Sequence, residues 1–467
     1  MPRLEETILV ARPIEDCFRY VADFSTIEQW DPGVYRSEKI TAGPVKVGSR
    51  FEVIINSGGR HQKMVYSLKE YDPPHRVVLI GQGDGFTADD RIEFKARDEG
   101  TTEIHYVADL EFSGLLGAVT PLFRPWLDRV GRKAVQGLKE ALEPAEEIAS
   151  PGPIDMIKRL TVLPAAWDFT ERGYLKMENK GLSEFIDGHT VVITGPTSGL
   201  GLATACELHR LGARLILLGR SPDRLDAAVQ QIVAFSGRSE RIELVEADLS
   251  LISQVRRAAR EILDRTEKVD ALINNAGALF QERGETPEGF ERSLAINLLS
   301  PFVLTESLRA GGAFARGARV INVSSGGMYT QPLVLEDMNY RDESYDGAKA
   351  YARAKRGLVA VTDYWAEQQD LKTATFNSMH PGWAATPGVE HSLPLFYKTM
   401  KGNLRDTRMG ADTIIWLATA TAAGEATGQF FFDRKPRPTS IFPGTEVTPE
   451  KRGELIKWLH KTTDQLA

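Results

Sequence analysis

Up to about residue 150, apolar residues come in short β-like runs: 4–10, 50–55, 63–71, 76–81, 87–96 and 101–112. Turn-forming clusters separate them, namely Ser57-Gly58-Gly59, Asp72-Pro73-Pro74 and Asp98-Glu99-Gly100. Pro13 opens a helix through about Phe24, and a long helix is expected from Pro125 to about Leu142. A strand, short helices, an antiparallel meander and a closing helix make an α+β sheet wrapped around one helix. Such a sheet often leaves a cavity beneath the helix.

Ser150-Pro151-Gly152-Pro153 marks a break. The stretch after it carries Leu160, Val162, Leu163, Trp167, Phe169 and Tyr174, which a free linker would not need, so it is read as a docked helical segment. From His189 the pattern changes. Apolar runs at 190–194, 214–218, 242–246, 271–274, 319–323 and 373–379 follow one another, with helical spacing at 200–211 and 223–235. Strands alternating with helices predict βαβ units, an α/β doubly wound parallel sheet. The organisation expected is a first domain at 1–147, a linker at 148–186 and a second domain at 187–467.

Composition narrows the class. The 467 residues are 42% hydrophobic and 26% charged, as in soluble globular proteins, with a formal net charge of −7 that offers nucleic acid no basic surface. No apolar run reaches the ~18 residues of a membrane helix, and the N-terminus lacks a secretory pattern. The expectation is a cytoplasmic protein whose membrane contact is at most peripheral. The two cysteines, Cys17 and Cys206, lie far apart and the eight histidines are scattered, so neither a disulfide framework nor a metal site is expected.

Candidate chemistry begins at the end of the run 190–194. Thr194-Gly195-Pro196-Thr197-Ser198-Gly199-Leu200-Gly201 leads straight into a helix. Glycines there permit a tight turn and close approach of a pyrophosphate, which the helix N-terminus then faces with free N–H groups. Where NAD enzymes usually carry an acid for the ribose, this chain has Gly219 and then Arg220. A guanidinium pairs in fork geometry with a 2′-phosphate, so NADP(H) is expected over NAD(H), the alternative being a solvated loop charge.

Further along stand Asn274-Asn275-Ala276-Gly277, Asn297, Ser324-Ser325 and Tyr351-Ala352-Arg353-Ala354-Lys355. Taken in order with the glycine turn, they resemble the short-chain dehydrogenase/reductase superfamily over roughly residues 186–435. Longer segments, such as 321–328, 379–389 and 430–436, narrow the likeness to one subgroup, with retinol dehydrogenases as more distant relatives.

A Tyr followed four positions later by Lys occurs at Tyr35, Tyr345, Tyr351 and Tyr397. Gly347 makes a poor helix interior for the Tyr345 pair, so Tyr351 and Lys355 are preferred. Residues four apart share a helix face, and a Lys355 ammonium there is expected to lower the phenol's pKa. Tyr351 can then exchange a proton with a carbonyl oxygen, while Ser325 hydrogen-bonds the same oxygen. The resemblance implies that Ser325 rather than Ser324 is the catalytic serine and that Asn297 holds a water linking Lys355 to solvent. It further implies that Asp248 and Leu249 meet the adenine, that Asn274, Ala276 and Gly277 line the cofactor cleft, and that Pro381 and Gly382 lie against the nicotinamide. Thr386 would bond the carboxamide or the pyrophosphate.

The wide separation of Ser325 from Tyr351 implies an inserted loop, 326–347, at the substrate mouth. Leu393, Leu395, Phe396, Tyr397 and Met400 mark a second loop there. Apolar residues beside a cleft suggest an apolar small-molecule substrate, unless they pack on one another or on a second subunit.

The first domain resembles the START-like, polyketide cyclase/dehydrase superfamily in its order of elements, in Pro13-Ile14-Glu15-Asp16-Cys17-Phe18 and in the run 24–32. The resemblance implies a helix-grip fold with an apolar ligand beneath the last helix. No acid or base there stands out: His61, His105, Asp109 and Glu111 read as solvent-facing. The apolar run 115–119 reads as a lid over the mouth, or as a segment touching a membrane surface. The leading expectation is an NADPH-dependent carbonyl reductase or alcohol dehydrogenase with a fused ligand domain. A carrier that senses NADP(H) and a bifunctional cyclase and reductase are the alternatives. Superfamily members are commonly dimers or tetramers, so a homo-oligomer is a further expectation.

Overall fold

The computed structural model describes residues 3–57, 60–112, 115–143, 168–177, 184–342, 344–368 and 374–465. They form two compact units, one built from the first part of the chain to residue 143 and one from residues 168–177 and 184–465. Leu160, Val162, Leu163 and Trp167, expected in a docked helix, lie outside the described residues.

The first unit runs β1 (Arg3–Val10), α1 (Ile14–Ala22), α2 (Ile27–Trp30), β2 (Val34–Lys39), β3 (Arg50–Ser57), β4 (Arg60–Asp72), β5 (Arg76–Gly83), β6 (Phe86–Ala96), β7 (Thr102–Phe112) and α3 (Leu115–Leu142). Its seven strands form one antiparallel sheet in the order β1-β7-β6-β5-β4-β3-β2. Alternate residues point inward: Phe51 and Val53, Met64 and Leu68, Val77 and Leu79, Ile92 and Phe94. The C-terminal half of α3 brings Ala134, Val135, Leu138, Ala141 and Leu142 into the same core as Phe18, Phe24 and Trp30.

Two elements differ from the sequence reading. Strand β2 was not expected, because in Val-Tyr-Arg-Ser-Glu-Lys only Val34 and Ser37 are buried and the apolar alternation is lost. Helix α3 begins ten residues before Pro125, so the run 115–119 is helical and opens it. Pro121 and Pro125 hide this start, since proline usually breaks a helix interior.

The second unit holds α4 (Glu171–Leu175), β8 (Thr190–Thr194), α5 (Gly199–Arg210), β9 (Arg214–Gly219), α6 (Pro222–Ser236), β10 (Ile242–Glu246), α7 (Ile252–Arg265), β11 (Val269–Asn274), α8 (Ser300–Ala310), β12 (Phe314–Val323), α9 (Gly347–Glu367), β13 (Ala374–Met379), α10 (Thr407–Thr419), β14 (Phe430–Phe432), β15 (Lys435–Arg437) and α11 (Pro449–Asp464). The sheet order is β10-β9-β8-β11-β12-β13-β14-β15, parallel except for the last pair. Its strands feed two apolar layers. Val192, Ile216 and Leu218 pack towards α7, α8, α9 and α11, whereas Val191, Ile193, Leu215 and Leu217 pack towards α5, α6 and α10. Burial on both faces explains why these strands read as unbroken apolar runs. Among the described residues, no helix is long and apolar enough to cross a membrane.

Two glycines separate packing from helix propensity. A Cβ at Gly137 in α3 would lie 2.1 Å from the carbonyl oxygen of Trp30, whereas one at Gly453 in α11 would have nothing within 4 Å. Gly453→Ala should therefore stabilise by up to about 1 kcal/mol, the propensity gain alone. Gly137→Ala should destabilise by about 1–3 kcal/mol, because backbone has to move. Urea unfolding of the full chain reads both; a Gly137→Ala as stable as the parent would mean that α3 does not dock on α2 in this way.

Candidate active site

The sheet order reverses between β8 and β11, and the crevice beyond their carboxyl ends is where α/β folds bind nucleotides. Thr194 ties the two ends together. Its hydroxyl donates to Ile273 O (3.3 Å) and accepts from the N–H groups of Asn275 (3.0 Å) and Ala276 (2.9 Å). The Asn275 amide donates to the carbonyls of Thr194 (2.9 Å) and Gly195 (3.2 Å). Asn275 was missed in the sequence reading; its position just past the strand end was the available signal.

The glycine turn has the shape of a cradle. Gly195 and Gly199 have φ of 66° and 57°, in the left-handed region. A Cβ on Gly195 would meet Ala276 Cα at 3.0 Å, and one on Gly201 would meet Gly195 O at 2.2 Å. Thr197 and Ser198 are half-buried, and Ser198 precedes α5 in extended backbone. Leu200 packs into the core beside α5. Thr386 stands against the turn, 3.3 Å from where a Gly199 Cβ would be, and its Oγ1 accepts from Val389 N–H at 3.2 Å. Arg220, just past β9, is exposed and has no ion-pair partner among the described residues. These features fit a nicotinamide dinucleotide.

Three residues expected at the cofactor also make contacts within the protein. The buried Asn274 amide donates to Thr305 Oγ1 (3.1 Å) and Asn322 Oδ1 (2.8 Å), so its side chain braces the sheet interior rather than lining the cleft. Leu249 packs its side chain into the core. Asp248 Oδ1 accepts from the Ser250 N–H and hydroxyl, at 2.9 and 2.8 Å.

The polar residues of the second group converge at the ends of β11 and β12. Asn297 sits in a single π turn, Ala295–Leu299, a kind of helix irregularity found often at functional sites. Its amide donates to Ala278 O and Ser293 O, both at 2.8 Å, and its Oδ1 accepts from Ala278 N–H at 3.2 Å. Gly277 lies between Asn297 and Lys355: a Cβ there would be 2.7 Å from Asn297 Oδ1 and 3.1 Å from Lys355 Nζ. Ser325 caps the short helix Gly326–Thr330, its hydroxyl accepting from the Gly327 N–H at 3.2 Å and facing the Tyr351 phenol. Ser324 turns inward, its hydroxyl on Lys355 O at 3.3 Å. Tyr345, four residues before Lys349, precedes α9 and donates to Glu291 Oε1 (3.0 Å) and Phe280 O (3.2 Å), which occupies it structurally.

Electrostatics corrects one expectation. The Tyr351 phenol is pushed up from its usual 10 by burial, with only the Ser325 hydrogen bond pulling it back. Lys355, its Nζ 5.8 Å from the ring centroid, donates to Val323 O at 2.8 Å and is pushed down to about 7 by burial. A lysine that is half neutral at pH 7 cannot strongly favour the phenolate.

The flanking loops are better packed than expected. Of the insert 326–347, Met328, Tyr329, Leu333 and Tyr340 are buried, and Tyr329 OH donates to Pro438 O at 2.8 Å. In the second loop Phe396 packs edge-on against Trp383 (5.3 Å), while Leu395 stays 77% exposed. Pro381 and Gly382 lie where the chain leaves β13. Gly382 has φ 76°, and a Cβ there would strike Arg405 Nε at 2.4 Å.

Arg405, unforeseen from the sequence, is 1% exposed and ties residues 168–170 to Asp433. It pairs through both terminal nitrogens with Asp433 (2.5 and 2.9 Å) and donates to the carbonyls of Asp168 (2.7 Å), Phe169 (3.1 Å) and Thr170 (3.2 Å). Phe169 in turn packs edge-on against His380 and accepts from Trp383 N–H at 2.7 Å. Its partners are too far apart in sequence to signal one another.

Lys355 yields a pH prediction. Between about 7 and its ordinary 10.5 the unfolded chain holds the extra proton, so this site makes stability rise with pH across that window, the full penalty being present below 7. Lys355→Met should flatten the rise, cutting the gain in unfolding free energy between pH 7 and 9.5 by about 3 kcal/mol. Urea unfolding across that range measures it, and equal slopes in both proteins would mean that the folded state keeps this lysine charged.

Two family models match the chain: short chain dehydrogenase over residues 189–394, and polyketide cyclase / dehydrase and lipid transport over residues 1–143. Dehydrogenase/reductase SDR family member 12 of Bos taurus is 36% identical over 309 residues, which are 64% of this chain and 96% of that one. Retinol dehydrogenase 14 of Mus musculus is 31% identical, over 56% of this chain and 82% of its own. Polyprenol dehydrogenase of Mus musculus is 32% identical, over 53% and 76%. With this likeness added to the crevice, the glycine cradle and the Ser325–Tyr351 pair, the chain belongs to the short-chain dehydrogenase/reductase family and carries a polyketide cyclase/dehydrase-type domain ahead of it.

Proposed function

We propose that the protein is an NADP(H)-dependent oxidoreductase that interconverts a carbonyl and an alcohol on an apolar molecule. The observation that carries this reading is the meeting of the Ser325 hydroxyl with the half-buried Tyr351 phenol, next to Lys355 and Asn297 and beside the glycine cradle. Thr194, Gly195, Thr197, Ser198, Gly199, Leu200 and Gly201 would hold the pyrophosphate, and Arg220 the 2′-phosphate. Bound there, the nicotinamide supplies or accepts hydride. Tyr351 gives the proton to the substrate oxygen in reduction and takes it in oxidation, while Ser325 donates a second hydrogen bond as charge develops. Lys355, easily deprotonated by its burial, passes the proton on, and Asn297 holds the water that links it to solvent.

An apolar substrate is supported by the exposed Leu395 and by Trp383 and Phe396 on the loop beyond β13. Names of relatives, retinol and polyprenol dehydrogenases, point the same way. The first domain would hold an apolar ligand, and its fusion near residue 147 would raise the local concentration of that ligand for the dehydrogenase.

Tyr351→Phe tests the chemistry: with an apolar ketone such as 2-acetonaphthone, kcat should fall by about 10²–10⁴ while NADPH binding stays. An active variant, or a parent that binds no NADPH, would sink the reading. Arg220→Ala should weaken NADPH binding by roughly 10–100-fold, the worth of one charge-assisted contact, and leave NADH unchanged. Equal losses for both would remove Arg220 from cofactor choice.

A further inference from the structure

A second polar group lies inside the first domain. Asp90 points inward from β6, 3% exposed, among Ala88, Ile92 and Leu79. Two phenols reach it. Tyr106, two residues along on the neighbouring strand β7, donates to Asp90 Oδ1 at 2.9 Å. Tyr66 comes from β4 across Gly81 on β5, whose missing side chain makes the room: a Cβ there would lie 2.6 Å from the phenol carbon Cζ. The other carboxyl oxygen, Asp90 Oδ2, is buried with no hydrogen bond of normal geometry among the described residues, although the Tyr66 phenol also interacts with this carboxyl. A carboxylate used only to brace the sheet would gain nothing from leaving one oxygen unpaired, since such a group costs stability.

Burial, with Asp89 and Asp31 nearby, pushes the Asp90 carboxyl up to about 7. The neutral acid has one O–H to give. With Oδ1 already accepting from Tyr106, that proton sits on Oδ2. A donor of this kind, beside a second hydroxyl on Tyr66, suits a partner that only accepts hydrogen bonds. A carbonyl oxygen on an otherwise apolar molecule meets that description.

We propose that Asp90, together with Tyr66, is the hydrogen-bonding site for a carbonyl oxygen of an apolar ligand held in the first domain. This rests on the reading of that domain as a holder of apolar ligand. The two failures can be told apart with a matched pair of probes, 2-acetonaphthone and 2-isopropylnaphthalene, the second lacking the oxygen. Their binding to the full chain is measured by equilibrium dialysis without nucleotide.

At pH 6 Asp90→Leu should weaken the ketone by about tenfold, the scale of one hydrogen bond, and leave the hydrocarbon within about twofold. Asp90→Asn, which keeps an N–H donor, should restore most of the ketone's affinity. In the unaltered protein the ketone should bind more weakly at pH 8 than at pH 6, as Asp90 loses its proton, and the hydrocarbon should not. The groups facing Asp90 are Tyr106, Tyr66 and Asp31, with Asp89 beside it on β6 and itself paired to Arg91. Burial pushes the Tyr66 and Tyr106 phenols well above their usual range, so they stay neutral at pH 6–8, whereas it pushes the Asp31 carboxyl up to about 6. Asp31→Asn should therefore leave the drop in place and Asp90→Asn should abolish it. If Asp90→Leu does not fold, the pH series and the Asn variants decide. Ketone affinity indifferent both to Asp90 and to pH, with both probes bound, would mean that Oδ2 meets only water and would overturn the proposal. Binding of neither probe would overturn the ligand-holding reading along with it.

Discussion

A single hydroxyl fixes the place where the dehydrogenase crevice opens. Thr194 ends the central strand, and its oxygen takes part in three hydrogen bonds across the gap to the end of β11. Together with the Asn275 amide on the carbonyls of Thr194 and Gly195, they fix the distance from the glycine turn to Asn275, Ala276 and Gly277. The close approach of Gly195 to Ala276 follows from that knot. So does the position of Gly277 between Asn297 and Lys355, which brings the polar group at β12 within reach of the turn.

Buried ionisable groups of the two units respond to low polarity in opposite directions. In the dehydrogenase unit several buried groups are paired, the Asn274 amide nitrogen with Thr305 and Asn322, Arg434 with Asp412, Arg405 with Asp433. Lys355 carries its nitrogen to one carbonyl and responds by giving up its proton more easily. In the first unit Asp90 goes the other way and keeps its proton longer than an ordinary aspartate. Low polarity is the common cause, since it penalises whichever form bears the charge.

Much of this was legible in the chain. Runs buried on both faces, such as Thr190–Thr194 and Arg214–Gly219, announced a parallel sheet, and the glycine turn announced its own backbone shape. Local signals also favoured Tyr351 over Tyr345, because Gly347 stands where α9 begins, capped by Asp346. What stayed hidden depends on contacts distant in sequence. Strand β2 has polar residues because it is the sheet's edge. The start of α3 lies behind two prolines. Asp90 reads as one more acid in Asp89-Asp90-Arg91 until the strand's facing direction is known. The pull of Lys355 on Tyr351 was overestimated because spacing on a helix says nothing about how much water the pair keeps.

Arg405 redraws the boundary of the catalytic unit. The family model begins at residue 189, yet the guanidinium spends three of its contacts on Asp168, Phe169 and Thr170. A chain shortened to start at the glycine-turn strand would strip those carbonyls from a cation that has no water to replace them, directly behind Gly382. The minimal dehydrogenase is therefore longer than the span the family model covers. It is that span with an upstream strap, so the segment joining the two halves is inherited by one of them as an internal part.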